Sequence, residues 1–300
     1  MEIRSGTAKS GDVEIHYEDL GDPNHPAVLL IMGLGAQLLM WRNGFCEKLI
    51  DQGLRVIRFD NRDVGLSSKL PDRRSGAPLL PRMARSYVGL PSPAGYTLED
   101  MADDAAALLD HLAIDTAHVV GASMGGMIAQ VFAARHHPRT QSLGIIFSSN
   151  NKTALPPPGP RQLMAILQRP KGSTREAVID NTVRVSKIIG SPGYPAPEDR
   201  VRAEAIEGYD RCYYPAGVGR HFAAILGSGS LLRYDRQIAV PTVVIHGKAD
   251  KLMRPSGGRA IARAIPRARL VLFDGMGHEL PEPLWDDIVG ELKTTFAEAG

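Results

Sequence analysis

The sequence predicts an α/β protein in which helices cover a mostly parallel central sheet. Short apolar runs alternate with amphipathic runs along most of the chain, and this alternation is typical of strands joined by helical crossovers. A tight strand-to-helix turn at Ser123 indicates the same architecture. So does the strand pattern that resumes at Val240 after a long helical stretch.

The predicted elements follow in chain order. Residues 7–22 have the pattern of a hairpin around Ser10-Gly11-Asp12, which leads into the sheet. Buried strands are expected at 27–32, 55–59, 117–121, 143–148, 242–246 and 269–273. Helices are expected at 41–52, 98–112, 124–136, 256–264 and 283–297, the second of them with a capping-box-like start at Thr97 and Asp100.

Two segments interrupt the alternation. Residues 150–236 open with Pro156-Pro157-Pro158 and carry amphipathic helical patterns but no convincing buried strand. They could form a cap over the carboxyl edge of the sheet or an unrelated helical domain, and the direct return of the strand pattern favours the cap. We therefore expect a core domain of residues 1–149 and 237–300, with a helical cap at 150–236 inserted after the sixth strand. Residues 70–95, rich in Pro, Arg and Gly, are expected to form a long surface loop.

Composition excludes several classes of protein. A net charge of +2 without a basic run predicts no nucleic-acid partner. The first residues have no apolar signal region, and the run at 27–32 is too short to span a bilayer, which predicts a cytoplasmic protein without a transmembrane segment. Peripheral contact with a membrane or cell envelope stays open. Two cysteines, Cys46 and Cys212, fit buried apolar positions better than a disulfide scaffold, and no metal-ligand spacing occurs, so we expect no metal or cofactor.

The pentapeptide Gly121-Ala122-Ser123-Met124-Gly125 is the most informative motif. A strand-like run enters it and a helix-like run leaves it, so the chain must turn sharply where only small flanking residues fit. Because the chain holds 31 glycines, the flanks carry more weight than the G-x-S-x-G pattern itself. Ser123 at the apex is therefore the candidate nucleophile of a nucleophile elbow.

A serine nucleophile needs a base and an oriented acid, and both follow later strands. Asp250 follows the strand at 242–246, and His278 follows the strand at 269–273 within Gly275-Met276-Gly277-His278. The order Ser, Asp, His is the one that this type of elbow uses. Asp274 is a rival acid, but Asp250 has the better position after the penultimate strand.

Backbone N–H groups are expected to stabilise the oxyanion of an acyl-transfer reaction. One should come from Met124, directly after the nucleophile, and the other from Leu34 in the loop Met32-Gly33-Leu34-Gly35. The simpler interpretation of that loop is a glycine turn without a further role. The charges at 60–67 are expected to brace loops around the site.

Together these residues resemble the α/β-hydrolase superfamily over essentially the whole chain. The runs at 30–35 and 60–67 and the Gly275–His278 loop are similar to a bacterial carboxylesterase branch that includes the aclacinomycin methylesterase type. Actinobacterial esterase/lipases are also similar, with Arg184-Val185-Ser186-Lys187 adding to that likeness. Two departures stand out: Met32 replaces a usual His, and Asp63 replaces a usual Gly.

The resemblance and the triad imply a serine carboxylesterase that hydrolyses short- to medium-chain acyl esters through an acyl-enzyme, with lipid esters or thioesters as variants. The alternatives are a lactonase, a carbon–carbon bond hydrolase, a perhydrolase, an acyltransferase or a non-catalytic receptor on the same fold. The expected partner is a small-molecule ester. The oligomeric state is not determined by the sequence. The residues Tyr213, Tyr214, Phe222 and Leu226 could line an acyl pocket or form the core of the cap.

Overall fold

The computed structural model of the protein describes residues 2–72, 79–168 and 170–299. Within them eight strands form one sheet in the order β1-β2-β4-β3-β5-β6-β7-β8. The strands are β1 (Ile3–Ser10), β2 (Val13–Leu20), β3 (Ala27–Ile31), β4 (Arg55–Phe59), β5 (Ala117–Ala122), β6 (Thr140–Ile146), β7 (Thr242–Gly247) and β8 (Ala268–Phe273). The hairpin β1–β2 and the β2–β4 pair are antiparallel, and all other pairs are parallel. The predicted fold class is confirmed.

The strands β3, β5 and β7 are mostly apolar because helices lie on both faces of the sheet. All five residues of β3 and all six of β5 and β7 are buried, so no alternation of apolar and polar residues develops. The hairpin strand β1, by contrast, alternates between exposed and partly buried residues at the edge of the sheet.

Eleven α-helices lie in the part of the chain that the structure describes. They are α1 (Asn43–Ile50), α2 (Leu79–Tyr87), α3 (Leu98–His111), α4 (Met124–Arg135), α5 (Pro160–Leu167), α6 (Arg175–Ile189), α7 (Glu198–Arg211), α8 (Pro215–Ser228), α9 (Leu232–Asp235), α10 (Pro255–Ala264) and α11 (Trp285–Ala297). Helices α3, α4 and α10 contribute to one apolar core, and α1 and α11 contribute to the other.

The predicted start of α3 is confirmed in detail. The Thr97 hydroxyl accepts a hydrogen bond from the backbone N–H of Asp100, and the Asp100 carboxylate accepts one from the backbone N–H of Thr97 at 2.7 Å. Two otherwise unpaired donors at the helix start are thereby satisfied. Other predicted boundaries agree to within four residues: the hairpin begins at Ile3 instead of residue 7, and β6 begins at Thr140 instead of residue 143.

The prediction of a surface loop at 70–95 is wrong for part of this segment. Helix α2 (Leu79–Tyr87) forms there, whereas residues 73–78 lie outside the described residues. Pro81 sits in the first turn of this helix, where its missing N–H leaves no hydrogen bond unmade. The Arg82 guanidinium is buried and donates to the Ala223 carbonyl of α8, so a contact distant in sequence helps to hold the helix.

Between β6 and β7 the described residues form helices α5 to α9 and no strand. Helices α6 and α7 share a small apolar cluster of their own, built on Ile179, Val183 and Ala205. The sheet resumes when Thr242 of β7 pairs with Leu143 of β6. The helical insertion therefore follows the sixth strand, as predicted. None of the described helices is both long and apolar enough to cross a bilayer.

Candidate active site

Ser123 lies at the apex of the turn between β5 and α4. Its backbone has φ 57° and ψ −120°, a conformation that L-residues rarely adopt. A Cβ at Gly121 would lie 2.2 Å from the Gly125 carbonyl oxygen, and one at Gly125 would lie 2.0 Å from the Ile31 carbonyl oxygen. The small residues of the motif are therefore a steric requirement, and the predicted elbow is present.

Two hydrogen bonds to its backbone groups hold the strained serine from the side of β6. The Ser123 N–H donates to the Ile146 carbonyl at 3.0 Å, and the Ser148 hydroxyl donates to the Ser123 carbonyl at 2.7 Å. Such external contacts are what keeps a residue in an unfavourable backbone conformation. They leave the Ser123 side chain free to face the other predicted residues.

The structure brings Ser123, His278 and Asp250 into one chain of hydrogen bonds. The Ser123 Oγ lies 2.9 Å from His278 Nε2, and His278 Nδ1 lies 2.7 Å from Asp250 Oδ2. The ionised Asp250 can only accept, so Nδ1 carries a proton and the neutral imidazole presents Nε2 as an acceptor to the serine hydroxyl. This arrangement can take a proton from Ser123, as a general base must.

Asp250 is held as a carboxylate. Burial alone would raise its pKa, but the charge and hydrogen bond of His278 and the nearby His246 lower the pKa to about 2. The other carboxylate oxygen accepts the backbone N–H groups of Leu252 at 2.8 Å and Met253 at 2.9 Å. The rival acid Asp274 is instead an exposed residue that pairs with Lys248 at 2.9 Å.

The loop that carries His278 is packed tightly against the end of α6. The His278 N–H donates to the Ile189 carbonyl at 2.8 Å, and a Cβ at Gly277 would lie 2.1 Å from the Gly190 carbonyl oxygen. The ring of Phe147, at the end of β6, lies 4.7 Å from the imidazole between ring centroids. Phe147 is buried and has φ 37°, which is an unfavourable backbone conformation for an aromatic residue.

The predicted oxyanion loop follows β3 and lies directly beside the nucleophile. A Cβ at Gly33 would lie 3.0 Å from Ser123 Cβ, so the backbone there approaches the serine more closely than a residue with a side chain readily allows. Met124 is the first residue of α4, a position whose N–H has no partner within the helix. The loop and the helix end thus border Ser123, and the donor roles of Leu34 and Met124 remain a prediction.

Three side chains that the sequence interpretation did not single out support these loops. The Asn61 amide donates to the Met32 carbonyl at 2.9 Å and so supports the loop where the usual His is missing. His221 of α8 contacts both Gly35 and the loop after β4. His246 lies with its Nε2 3.6 Å from Asp250 Oδ2. Only the spacing of His246, four residues before Asp250, was a signal in the sequence.

The charges after β4 brace loops, as expected. The Asp60 carboxylate accepts the backbone N–H groups of Leu38 and Leu66, both at 2.8 Å. Asp63 has φ 68° and pairs with Arg220 of α8 through two hydrogen bonds at 2.7 and 2.8 Å. Burial would raise the pKa of Asp63, but the ion pair and hydrogen bonds from Leu70 and Tyr96 hold that pKa below its ordinary value.

The remaining sequence predictions have mixed outcomes. Cys46 is buried, as expected, and His118 packs near the start of β5 against Phe296. Cys212 is only partly buried, because it lies at the carboxyl end of α7. Of the four side chains proposed for a pocket or a cap core, Leu226 is buried and Tyr213 is 43% exposed. No cluster of metal-ligand type occurs among residues 2–72, 79–168 and 170–299.

Known proteins resemble the chain over nearly its full length. Rhodomycin D methylesterase DnrP of Streptomyces peucetius is 29% identical over 299 residues, covering 91% of this chain and 93% of that protein. A 2-hydroxy-6-oxononadienedioate/2-hydroxy-6-oxononatrienedioate hydrolase of Cupriavidus pinatubonensis is 26% identical, covering 91% and 87%. The solved enol-lactonase of Burkholderia xenovorans LB400 superposes with a TM-score of 0.71 at 24% identity, covering 98% of this chain and all of that one.

A family model provides the assignment. Residues 26–191, more than half of the chain, match the model described as the alpha/beta hydrolase fold. The match begins just before β3 and includes the loop at Gly33 and the elbow at Ser123, two of the segments on which the resemblance was based. The elbow, the sheet order and this match agree, and the chain belongs to the α/β-hydrolase fold family.

Proposed function

We propose that this hydrolase-fold enzyme is a serine carboxylesterase. The observation that supports the proposal best is the hydrogen-bonded chain from Ser123 through His278 to Asp250, with distances of 2.9 and 2.7 Å. It starts at a serine held in a strained elbow and ends at a buried carboxylate. A structural protein would gain nothing in packing from that strain.

Catalysis would proceed through an acyl-enzyme. Ser123 Oγ attacks the ester carbonyl carbon while His278 Nε2 takes the hydroxyl proton, and a tetrahedral oxyanion forms. Its collapse breaks the bond to the alcohol, which leaves with the proton from His278. Water then attacks the acyl group, His278 again takes a proton, and release of the acid restores Ser123. Asp250 keeps the imidazole in the required tautomer and stabilises the imidazolium.

The backbone N–H groups of Leu34 and Met124 would stabilise the oxyanion. Gly33 next to Ser123 and the free amino end of α4 support this assignment. Loss of one such donor typically lowers kcat by about 10²–10³-fold.

The proposed substrate is a small acyl ester of short to medium chain length. The two methylesterase relatives support ester hydrolysis, because they cover nearly the full chain at 29% identity. Helices α5 to α9 would act as the cap, with residues 150–236 forming it and residues 1–149 and 237–300 forming the core. The contact of His278 with the end of α6 supports a cap placed at the site.

One alternative has a specific observation in its favour. Three 2-hydroxy-6-oxononadienedioate/2-hydroxy-6-oxononatrienedioate hydrolases cover about nine-tenths of this chain at 24–27% identity. Such a reaction would use the same nucleophile on a carbon–carbon bond. The substrate panel must therefore include a 2-hydroxy-6-oxo-dienoate and a lactone beside the esters.

The test is hydrolysis of p-nitrophenyl esters from acetate to palmitate by wild type, Ser123→Ala and His278→Ala. His25→Ala, at an exposed position without a partner role in the site, is the matched control. We expect turnover that is lost in the first two variants and kept in the control, with an optimum at a short or medium chain. Absence of ester turnover by folded wild type would refute the esterase. Turnover of the dienoate alone would replace the esterase proposal with a carbon–carbon bond hydrolase.

A further inference from the structure

His221 of α8 is completely buried and uses both ring nitrogens on backbone groups of two separate loops. Its Nδ1 lies 3.1 Å from the backbone nitrogen of Gly35, in the loop after β3. Its Nε2 lies 2.6 Å from the carbonyl oxygen of Arg62, in the loop after β4. One side chain of the helical insertion therefore joins the candidate oxyanion loop to its neighbour.

These two partners determine the protonation of the ring. The Gly35 N–H can only donate, so Nδ1 must offer its lone pair, and the Arg62 carbonyl can only accept, so Nε2 must carry the proton. Only the neutral imidazole with its proton on Nε2 satisfies both contacts. Burial also lowers the pKa of His221, although the Arg62 carbonyl and the Asp63 charge oppose this shift.

The charged groups around the ring are already paired. Asp63 and Arg220 pair with each other, and the Arg62 guanidinium pairs with Asp104 at 2.6 Å. No carboxylate among the described residues hydrogen-bonds to the His221 ring, so an imidazolium would have no direct ion-pair partner there. A second ring proton would also face the Gly35 N–H, donor against donor.

The surrounding backbone leaves the loop little freedom of its own. Gly35 has φ 65°, and a Cβ there would lie 2.7 Å from a methyl carbon of Val218, one turn before His221 on α8. Helix α8 also approaches the other loop closely, since a Cβ at Gly217 of α8 would lie 1.9 Å from the carbonyl oxygen of Asp63. This part of α8 thus rests directly on both loops.

The position of Leu34 gives this contact a consequence for catalysis. Leu34 lies between Gly33, which touches Ser123, and Gly35, whose N–H is held by His221. We propose that His221 is a positioning residue: by holding the Gly35 N–H, it fixes the neighbouring Leu34 N–H for oxyanion binding. This inference rests on the proposed esterase function and extends it to the helical insertion, which would then contribute to the alignment of the catalytic loop.

If His221 were merely structural, its replacement would lower the stability of the fold without changing kcat of the folded enzyme. We therefore compare His221→Leu, which removes both hydrogen bonds, with His221→Gln, whose neutral amide carries one acceptor and one donor. The matched control is His118→Leu. His118 is also a buried histidine, and it bonds to Ser142 at 2.8 Å at the start of β5, away from the elbow.

The measurements are kcat and KM for a p-nitrophenyl ester, together with the affinity for a trifluoromethyl ketone, which Ser123 would convert to a hemiketal oxyanion. We expect His221→Leu to lower kcat by roughly 10²-fold and to leave KM within about threefold, because the oxyanion is absent from the ground state. The ketone should bind more weakly by a similar factor. His221→Gln should recover most of both losses, and His118→Leu should keep the wild-type kcat.

Unchanged kcat and ketone affinity in folded His221→Leu, with Ser123-dependent turnover intact in wild type, would overturn the positioning role and leave the esterase standing. An equal fall of kcat in His118→Leu would also overturn it, because general destabilisation would then account for the loss. Absence of ester turnover by wild type would overturn the esterase and this inference together.

Discussion

Asp235 is a buried carboxylate that should make the stability of this protein depend on pH. It ends α9 with no solvent exposure, and its Oδ2 accepts a hydrogen bond from the Asn150 amide at 2.7 Å. Its Oδ1 has no hydrogen-bond partner among the described residues. Because Asn150 begins the helical insertion and Asp235 lies near its end, this pair joins the two ends of the insertion.

The size of the effect follows from the pKa of Asp235. Burial raises this pKa to about 7, whereas an aspartate in the unfolded chain ionises near a pKa of about 3.9. Between these values the native state binds one proton more than the unfolded state, so the free energy of unfolding falls as pH rises. Three pKa units correspond to about 4 kcal/mol, of which roughly 2–3 kcal/mol should be lost between roughly pH 5 and 8.

Asp235→Asn removes the ionisation and keeps the shape and an acceptor for Asn150. Urea unfolding at several pH values should show a variant that gains roughly 2–3 kcal/mol in the free energy of unfolding over wild type between roughly pH 5 and 8. Asp115→Asn, at an exposed carboxylate, is the control and should run parallel to wild type. Parallel curves for wild type and Asp235→Asn would refute the reasoning, because the carboxyl would then titrate alike in both states.

Three further predictions concern the site and its supports. Asp250→Asn should lower kcat for ester hydrolysis by about 10⁴-fold in a folded protein, because the amide favours the wrong imidazole tautomer. A normal kcat would remove Asp250 from the triad. Gly121→Ala should destabilise the fold by about 3 kcal/mol or more in urea unfolding, because its Cβ would lie 2.2 Å from a backbone oxygen. Gly219→Ala, with no atom within 4 Å of its Cβ, should be neutral or stabilising, and equal losses at the two glycines would contradict the steric argument. Arg220→Met should cost about 3–5 kcal/mol, because it leaves the Asp63 carboxylate buried and unpaired. Adding Asp63→Asn should recover part of this loss, and thermal unfolding that shows no recovery would mean that the charge is not the cause.

The sheet and the elbow could be predicted because short-range patterns determine them. Strands buried on both faces are continuous apolar runs, and the steric demand at Ser123 admits only small neighbours on either side. Helix α2 was missed because Pro81 and the local composition suggest a loop, while its stability depends on Arg82 and a helix far along the chain. Local composition alone does not indicate a contact between residues so far apart in the chain.

The hydrogen-bonded arrangement of Ser123, His278 and Asp250 was predictable because strand order brings these residues to one sheet edge. The residues that support the loops of the site were not predictable, because no strand pattern or motif indicates which distant side chains the packing brings together. His221 lies 186 positions from Gly35 and carries no motif, so only the packing of α8 brings them together. Phe147 likewise reaches the imidazole through an unusual backbone conformation that its sequence does not indicate.

The central claim is that Ser123 is an activated nucleophile. The most direct measurement is reaction with a fluorophosphonate, in which the serine oxygen forms a bond to phosphorus and fluoride leaves, followed by intact mass and peptide mapping. We expect a single adduct per chain on the peptide that contains Ser123, absent in Ser123→Ala and strongly slowed in His278→Ala. A folded wild-type protein that stays unlabelled, or is labelled at another residue, would contradict the account.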